Sequence, residues 1–349
     1  MENDSSPIQN IFSESDAMER RVELLDSVRS FLANEREIAN ADRAAAFQPD
    51  MSSVEGYATS LAPWRAELRK MLGWPLTASP SPVSAECKPL AEDELGRIYQ
   101  VGVQVNRFVK SHGLLFLPPA KGKHPLVIAQ HGGRGTPELA SGLINQDSSN
   151  YNEMIRGLRM KGIAVFAQQL LVWDVGQEPK FDQNMLDREF RHLGGSRAAF
   201  DLCQLQASFE WLLTHPEIDT ERISMIGLSY GGFYTLFFTA LEPRIRAAVS
   251  SCFVNDRYHY NWEDWVWLGS ARRFLDSEVA RMVCPRPLFL EAGRRDEVFT
   301  PSGFEKTASE VMETYRKLGL EDRCRTRIHS GGHEYDPDGE AQAFLMKFL

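Results

Sequence analysis

The sequence predicts an α/β fold: a mainly parallel, doubly wound sheet of about eight strands with a helical extension at its N-terminal end. Three observations predict it. From about Leu95, short β-rich runs alternate with longer amphipathic stretches, the pattern of strand–helix–strand units joined by right-handed crossovers. Runs such as PLVIAQ (125–130) and RPLFLEA (286–292) are apolar almost throughout, as expected of strands covered on both faces. A Gly-x-Ser-x-Gly string, residues 227–231, sits between one such run and a helical one.

Composition bounds the rest. The chain has 349 residues, 43% hydrophobic and 25% charged, which suits a globular protein and excludes a wholly disordered or fibrous one. That length buries a sizeable core without staples. With 39 basic against 48 acidic residues the net charge is −9, so there is no electrostatic footprint for nucleic acid. Cysteines stand at 87, 203, 252, 284 and 324. The number is odd and no two form a CxxC pair, so reduced thiols are expected rather than a disulfide framework or a metal site. The first residues are polar and acidic, unlike a signal peptide. No apolar run approaches the ~18 residues of a spanning helix. The expected compartment is the cytoplasm, with no membrane partner.

Residues 1–90 read as a helical extension and linker. Arg20–Asn34 places Val22, Leu25, Val28, Phe31 and Leu32 on one helical face, and Leu61–Leu72 forms a second helix ended by Gly73-Trp74-Pro75. Thr77–Pro89, rich in Pro and Ser, reads as a linker. Residues 91–349 read as the main α/β domain. Its expected strands are Ile98–Val105, Gly113–Leu117, Pro125–Gln130, Ile163–Gln168, Ile223–Gly227, Arg246–Ser250, Pro287–Ala292 and Cys324–His329. The first two follow each other directly and predict an antiparallel hairpin at one edge. Helices are expected at Ser149–Lys161, Gly195–Thr214, Tyr230–Leu241, Ser302–Leu318 and Asp338–Leu349.

Gly227-Leu228-Ser229-Tyr230-Gly231 follows a strand and opens a helix, the setting of a nucleophile elbow. Side chains two before and two after Ser229 would collide in so tight a turn, hence the two glycines. A serine hydroxyl needs a base. Of eight histidines, His333 stands after the last strand in a Gly-Gly loop, with His259 and His329 as weaker options. Asp296 is the first acid beyond the strand that ends near Ala292, suited to orienting an imidazole. Glu297 and Asp256 remain alternatives. The turn His131-Gly132-Gly133 after the third strand predicts an oxyanion hole made by the amides of Gly133 and Tyr230, with His131 structural.

Ser229, Asp296 and His333, with the His131-Gly132-Gly133 turn, resemble the α/β-hydrolase superfamily over about residues 95–349. The chain is most similar to the dienelactone-hydrolase and acetyl-xylan-esterase-like group. The features that carry this are 113–119 (GLLFLPP), 215–223 (HPEIDTERI) and Gly332-His333-Glu334. Residues 64–75 resemble the helical extension of bacterial esterases of that group. Dienelactone hydrolases carry a cysteine nucleophile where this chain has Ser229, which favours ordinary ester hydrolysis.

The resemblance implies a serine carboxylesterase that acts on a small-molecule ester, with short acyl or acetyl esters of carbohydrates as substrates, and needs no cofactor or metal. Trp262 and Trp265, in an aromatic segment after the sixth strand, and Trp173, in a long connection, are the expected substrate-binding walls. Two rival readings are a peptidase of the prolyl-oligopeptidase type, whose elbow also favours Ser-Tyr-Gly-Gly, and a catalytically silent binding protein. The helical extension suits either a cap over the site or a homo-oligomer interface.

Overall fold

The computed structural model describes residues 11–78, 83–171, 183–258 and 265–349. They form two compact units: Met1–Gln48 with Ala271–Arg273, and Pro49–Ser270 with Phe274–Leu349. In the first, one helix runs from Glu14 to Ala46, started by a capping box between Ser13 and Asp16. Val22, Leu25, Val28, Phe31 and Leu32 are all exposed along it. Arg272 pairs with Glu35 at 2.6 Å and with Asp42 at 3.0 Å.

The second unit is built on one nine-stranded sheet: β1 (Ser84–Asp93), β2 (Gly96–Gln104), β3 (Lys110–Leu117), β4 (His124–Gln130), β5 (Ala164–Gln168), β6 (Ile218–Leu228), β7 (Ala248–Ser251), β8 (Leu288–Gly293) and β9 (Cys324–His329). Their order is β1-β2-β3-β5-β4-β6-β7-β8-β9. The pairs β1–β2, β2–β3 and β3–β5 are antiparallel, and the other five are parallel. All eight expected strands are present. The ninth, β1, begins inside the expected linker and runs past its end to Asp93. Its side chains are exposed almost throughout, so it carries no hydrophobic signal, and it pairs only as an edge. The helix expected over Ser149–Lys161 is interrupted at Asn152 and Glu153, both with positive φ, and resumes as Met154–Arg159.

The chain passes from β4 outward to β5, then returns beyond β4 to β6. The direction of winding therefore reverses at β4, and such a switch point opens a crevice at the carboxyl ends of the strands. On one sheet face Val127, Ala129, Ile226 and Val249 pack against Met154, Leu158, Phe344 and Leu345. On the other lies the helix Tyr230–Leu241, buried at every residue, as its sequence YGGFYTLFFTAL requires of a helix apolar all round.

The carboxyl end of that helix is closed by two arginines. Arg286 donates from Nη1 to the carbonyls of Glu242 (2.9 Å) and Ile245 (2.8 Å), and from Nη2 to that of Thr239 (2.7 Å). Arg65, on the helix Ala62–Leu72, donates to the Ala240 carbonyl at 2.9 Å and to Met282 at 3.2 Å. Terminal helix carbonyls lack intrahelical partners, and cations are favoured there. Burial pulls the Arg286 guanidinium down to about 10. Replacing Arg286 with Met would strand three buried carbonyls, and the expected loss of stability is on the order of 3 kcal/mol or more by denaturant unfolding. A loss under ~0.5 kcal/mol would contradict this role.

Candidate active site

β6 delivers Ser229 to the switch-point crevice in a backbone conformation of φ 59°, ψ −118°, a sparsely populated region worth ~1–3 kcal/mol of strain. Close packing enforces it. A Cβ on Gly227 would stand 2.2 Å from the Gly231 carbonyl oxygen, and one on Gly231 would stand 2.2 Å from that of Gln130. The Ser229 amide donates to Ser251 at 2.9 Å, tying the elbow to β7. Ser229 is 4% exposed.

β8 runs into the loop that holds Asp296. Its Oδ1 accepts from the amides of Val298 (2.8 Å) and Phe299 (2.9 Å), and its Oδ2 pairs with His333 Nδ1 at 2.8 Å. Burial works to raise this carboxyl, but the His333 ring and the two amides outweigh it, so it lies below the usual range. Asp296 therefore stays ionised at neutral pH and accepts from Nδ1–H. The other ring nitrogen, Nε2, is left as the acceptor. Phe299 stacks on the His333 ring at 5.5 Å and 23°. Of the two alternatives, Glu297 is exposed and Asp256 accepts from the Tyr258 amide. His329 is buried, with Nδ1 accepting from the Gly331 amide.

The loop 330–336 that carries His333 is anchored by buried carboxyls. Glu291, on β8, accepts from Ser251 Oγ at 2.7 Å and from the Asp336 amide at 3.0 Å, both at Oε1. Its Oε2 has no hydrogen-bond partner among the described residues. Asp336 in turn accepts from Arg327 at 2.8 Å and from the Ala341 amide at 2.7 Å. Glu334 accepts from the Gly332 amide and from Asn152.

Across the crevice, the turn after β4 passes beside the serine: a Cβ on Gly132 would lie 3.3 Å from Ser229 Cβ. The Gly132 amide is held by Tyr151 Oη at 3.0 Å. That of Gly133 has no acceptor among the described residues, and Tyr230 is the first residue of the elbow helix. His131 holds the turn from below. Its Nε2 accepts from the Leu170 amide at 3.0 Å, so its proton is on Nδ1, which donates to the Gly132 carbonyl at 2.8 Å. Burial pushes His131 down to about 4, so it is neutral.

Of the three tryptophans, Trp173 and Trp262 lie outside the described residues. Trp265 is 1% exposed and packs on Tyr230, Phe233, Phe253 and Phe299. Its ring is given to the core rather than to a ligand, and it backs the Phe299 that stacks on His333. The periodicity of its segment gave no sign of this. Among the described residues, one group of potential metal-ligating side chains comes together: Cys252, Asp296 and His333, with ligand atoms within 4.8 Å of one another. Burial raises the Cys252 thiol well above its usual value, and Asp296 and His333 are engaged with each other, so the group is poorly suited to a cation.

The profile of the S15 family, X-Pro dipeptidyl-peptidase, matches residues 202–280, the segment that contains the elbow. A Bacillus subtilis (strain 168) protein described as a hydrolase, YtaP, is 25% identical over 305 residues, covering 82% of this chain and 100% of its own. A Bacteroides fragilis structure described as an acetyl xylan esterase superposes with a TM-score of 0.65 at 16% identity, covering 82% of this chain and 80% of its own. A glucuronoyl esterase from Solibacter usitatus gives 0.65 at 14% identity, with 86% and 97% covered. The fold is that of the α/β-hydrolases.

Glu291 makes a pH-dependent prediction. Burial raises its carboxyl from 4.5 to about 8. Between those values the folded protein keeps a proton that the unfolded chain releases, so stability falls as pH rises through that window and levels off above it. Glu291→Gln keeps an acceptor and removes this slope. Its free energy of unfolding should gain on the wild type steadily from pH 5 to pH 8, by an amount on the order of a few kcal/mol at the end. A constant gap across that range would contradict the buried neutral carboxyl.

Proposed function

We propose that this protein is a serine carboxylesterase in which Ser229, His333 and Asp296 form the catalytic triad. The observation that carries it is the 2.8 Å Asp296–His333 pair, presented at the same crevice as a serine on a strained elbow. His333 Nε2 takes the Ser229 proton as Oγ attacks the ester carbonyl. The amides of Gly133 and Tyr230 receive the oxyanion, each worth ~3 kcal/mol of transition-state stabilisation. The imidazolium, held by ionised Asp296, then protonates the leaving alcohol. Water deacylates the enzyme by the reverse proton path.

Esters of carbohydrates are the favoured substrates, acetyl esters first. The structural neighbours described as an acetyl xylan esterase and a glucuronoyl esterase support that class. Five free thiols suit a reducing compartment, in keeping with a cytoplasmic enzyme. No helix among the described residues is long and apolar enough to cross a membrane. The S15 match favours a second reading, a peptidase that cleaves after proline.

The test compares p-nitrophenyl acetate, butyrate and octanoate, an acetylated xylo-oligosaccharide and Gly-Pro-p-nitroanilide. Acetate esters should be preferred, with acetate released from the sugar. Ser229→Ala should lower kcat by about 10⁴-fold or more, and Asp296→Asn by a similar factor. Faster cleavage of the anilide than of any ester would establish the peptidase instead. Full ester activity in Ser229→Ala would overturn both readings.

A further inference from the structure

A cavity of about 850 Å³ opens where the end of the helix Ala62–Leu72 meets the helix Arg197–Leu212 and the turn between β2 and β3. None of Ser229, Asp296 and His333 lines it. One wall is aromatic: Trp74 packs on Phe190 at 5.9 Å, and Phe190 on Phe200 at 5.2 Å. Val105 and Phe108 face it from the turn, and Phe108 is 80% exposed at the mouth. The size is that of a small-molecule site.

Its charged groups are unevenly satisfied. Glu242 and Glu210 line it, but both are already held by Arg244, at 2.7 Å and 2.5 Å, and by Gln206. Arg69 lines it too and is half-buried. Its side chain makes no hydrogen bond or ion pair with any described residue, and Glu242 acts on it only from a distance. Arg107 is at the mouth, its guanidinium over the Phe108 ring. A guanidinium carries five donors and always a charge, and those of Arg69 meet the solvent of the cavity rather than a protein acceptor. Burial lowers its hold on the proton. The missing acceptor is an anion with an apolar body. A single charge suits the place, because a second would face Glu210 and Glu242.

We propose that this cavity is a second binding site, for a small apolar molecule bearing one carboxylate, with Arg69 as the partner of that carboxylate. The aromatic wall of Trp74, Phe190 and Phe200, whose rings are tilted by 35–39° to one another, favours an aryl acid over an alkyl one. The inference does not rest on the esterase reading.

The test is isothermal titration of the Ser229→Ala protein with 2-naphthoate, decanoate and decanol, repeated with Arg69→Gln, Arg69→Lys and Ala207→Trp added. Ala207 lines the cavity, so the last variant fills it without touching the charge. The acids should bind at one site, with 2-naphthoate tighter than decanoate. Arg69→Gln should weaken both by about tenfold or more, Arg69→Lys should restore most of that, and Ala207→Trp should abolish binding. Ester hydrolysis on the Ser229 background should be unchanged by Arg69→Gln. Absence of binding at ~1 mM, equal affinity for decanol, or equal affinity in Arg69→Gln and Ala207→Trp would overturn the proposal. If Arg69→Gln fails to fold, Ala207→Trp alone decides between the cavity and another site.

Discussion

Everything at the crevice depends on the contact of Gly227 with Gly231, and of Gly231 with the Gln130 carbonyl. That contact leaves no room for a Cβ at either glycine and forces Ser229 to a positive φ. The strain is sustained because what surrounds it is rigid. β6 is a central strand paired on both sides, and the helix that follows is buried at every residue. Arg286 and Arg65 complete its far end. The helix Ala62–Leu72 therefore belongs to the elbow's support through Arg65, and not only to the chain's opening segment.

Asp296, His333 and Gly133 stand on loops, and the turn after β4 and the loop of His333 are fixed by buried polar groups rather than by apolar packing alone. Neutral His131 ties the turn after β4 to Leu170. Glu291 and Asp336 tie the loop of His333 to β7, β8 and Arg327. Satisfied polar groups of this kind make a loop rigid, and Glu291 Oε2 is the atom of this network left without a partner among the described residues. This division suits the proposed chemistry, in which a strained serine on a sheet is served by an acid, a base and amide donors across a cleft.

Much of this was legible in the sequence, for physical reasons. Central strands such as β4 and β8 are apolar on both faces, and their runs mark them to within a residue or two. The elbow declares itself because only glycine fits at 227 and 231. Chain order and loop placement single out Asp296 and His333, and the structure pairs their side chains at 2.8 Å. β1 was hidden because its side chains are exposed and only its backbone pairs. Arg65 and Arg286 were hidden because capping of carbonyls distant in sequence leaves no local pattern. The buried state of Glu291 shows only as one acid inside an apolar run, LFLEAG, which could have been noticed. The aromatic segment misled in one respect: Trp265 reads the same whether it faces a substrate or the core, and burial decides for the core.

The central claim is that Ser229 is a nucleophile made reactive by His333 and Asp296. The most direct measurement is the intact mass of the protein after treatment with a fluorophosphonate, followed by peptide mapping. The account predicts one adduct per chain, located on Ser229, which disappears when His333 is replaced by Ala or the protein is unfolded. No adduct, or an adduct on another residue, would contradict it.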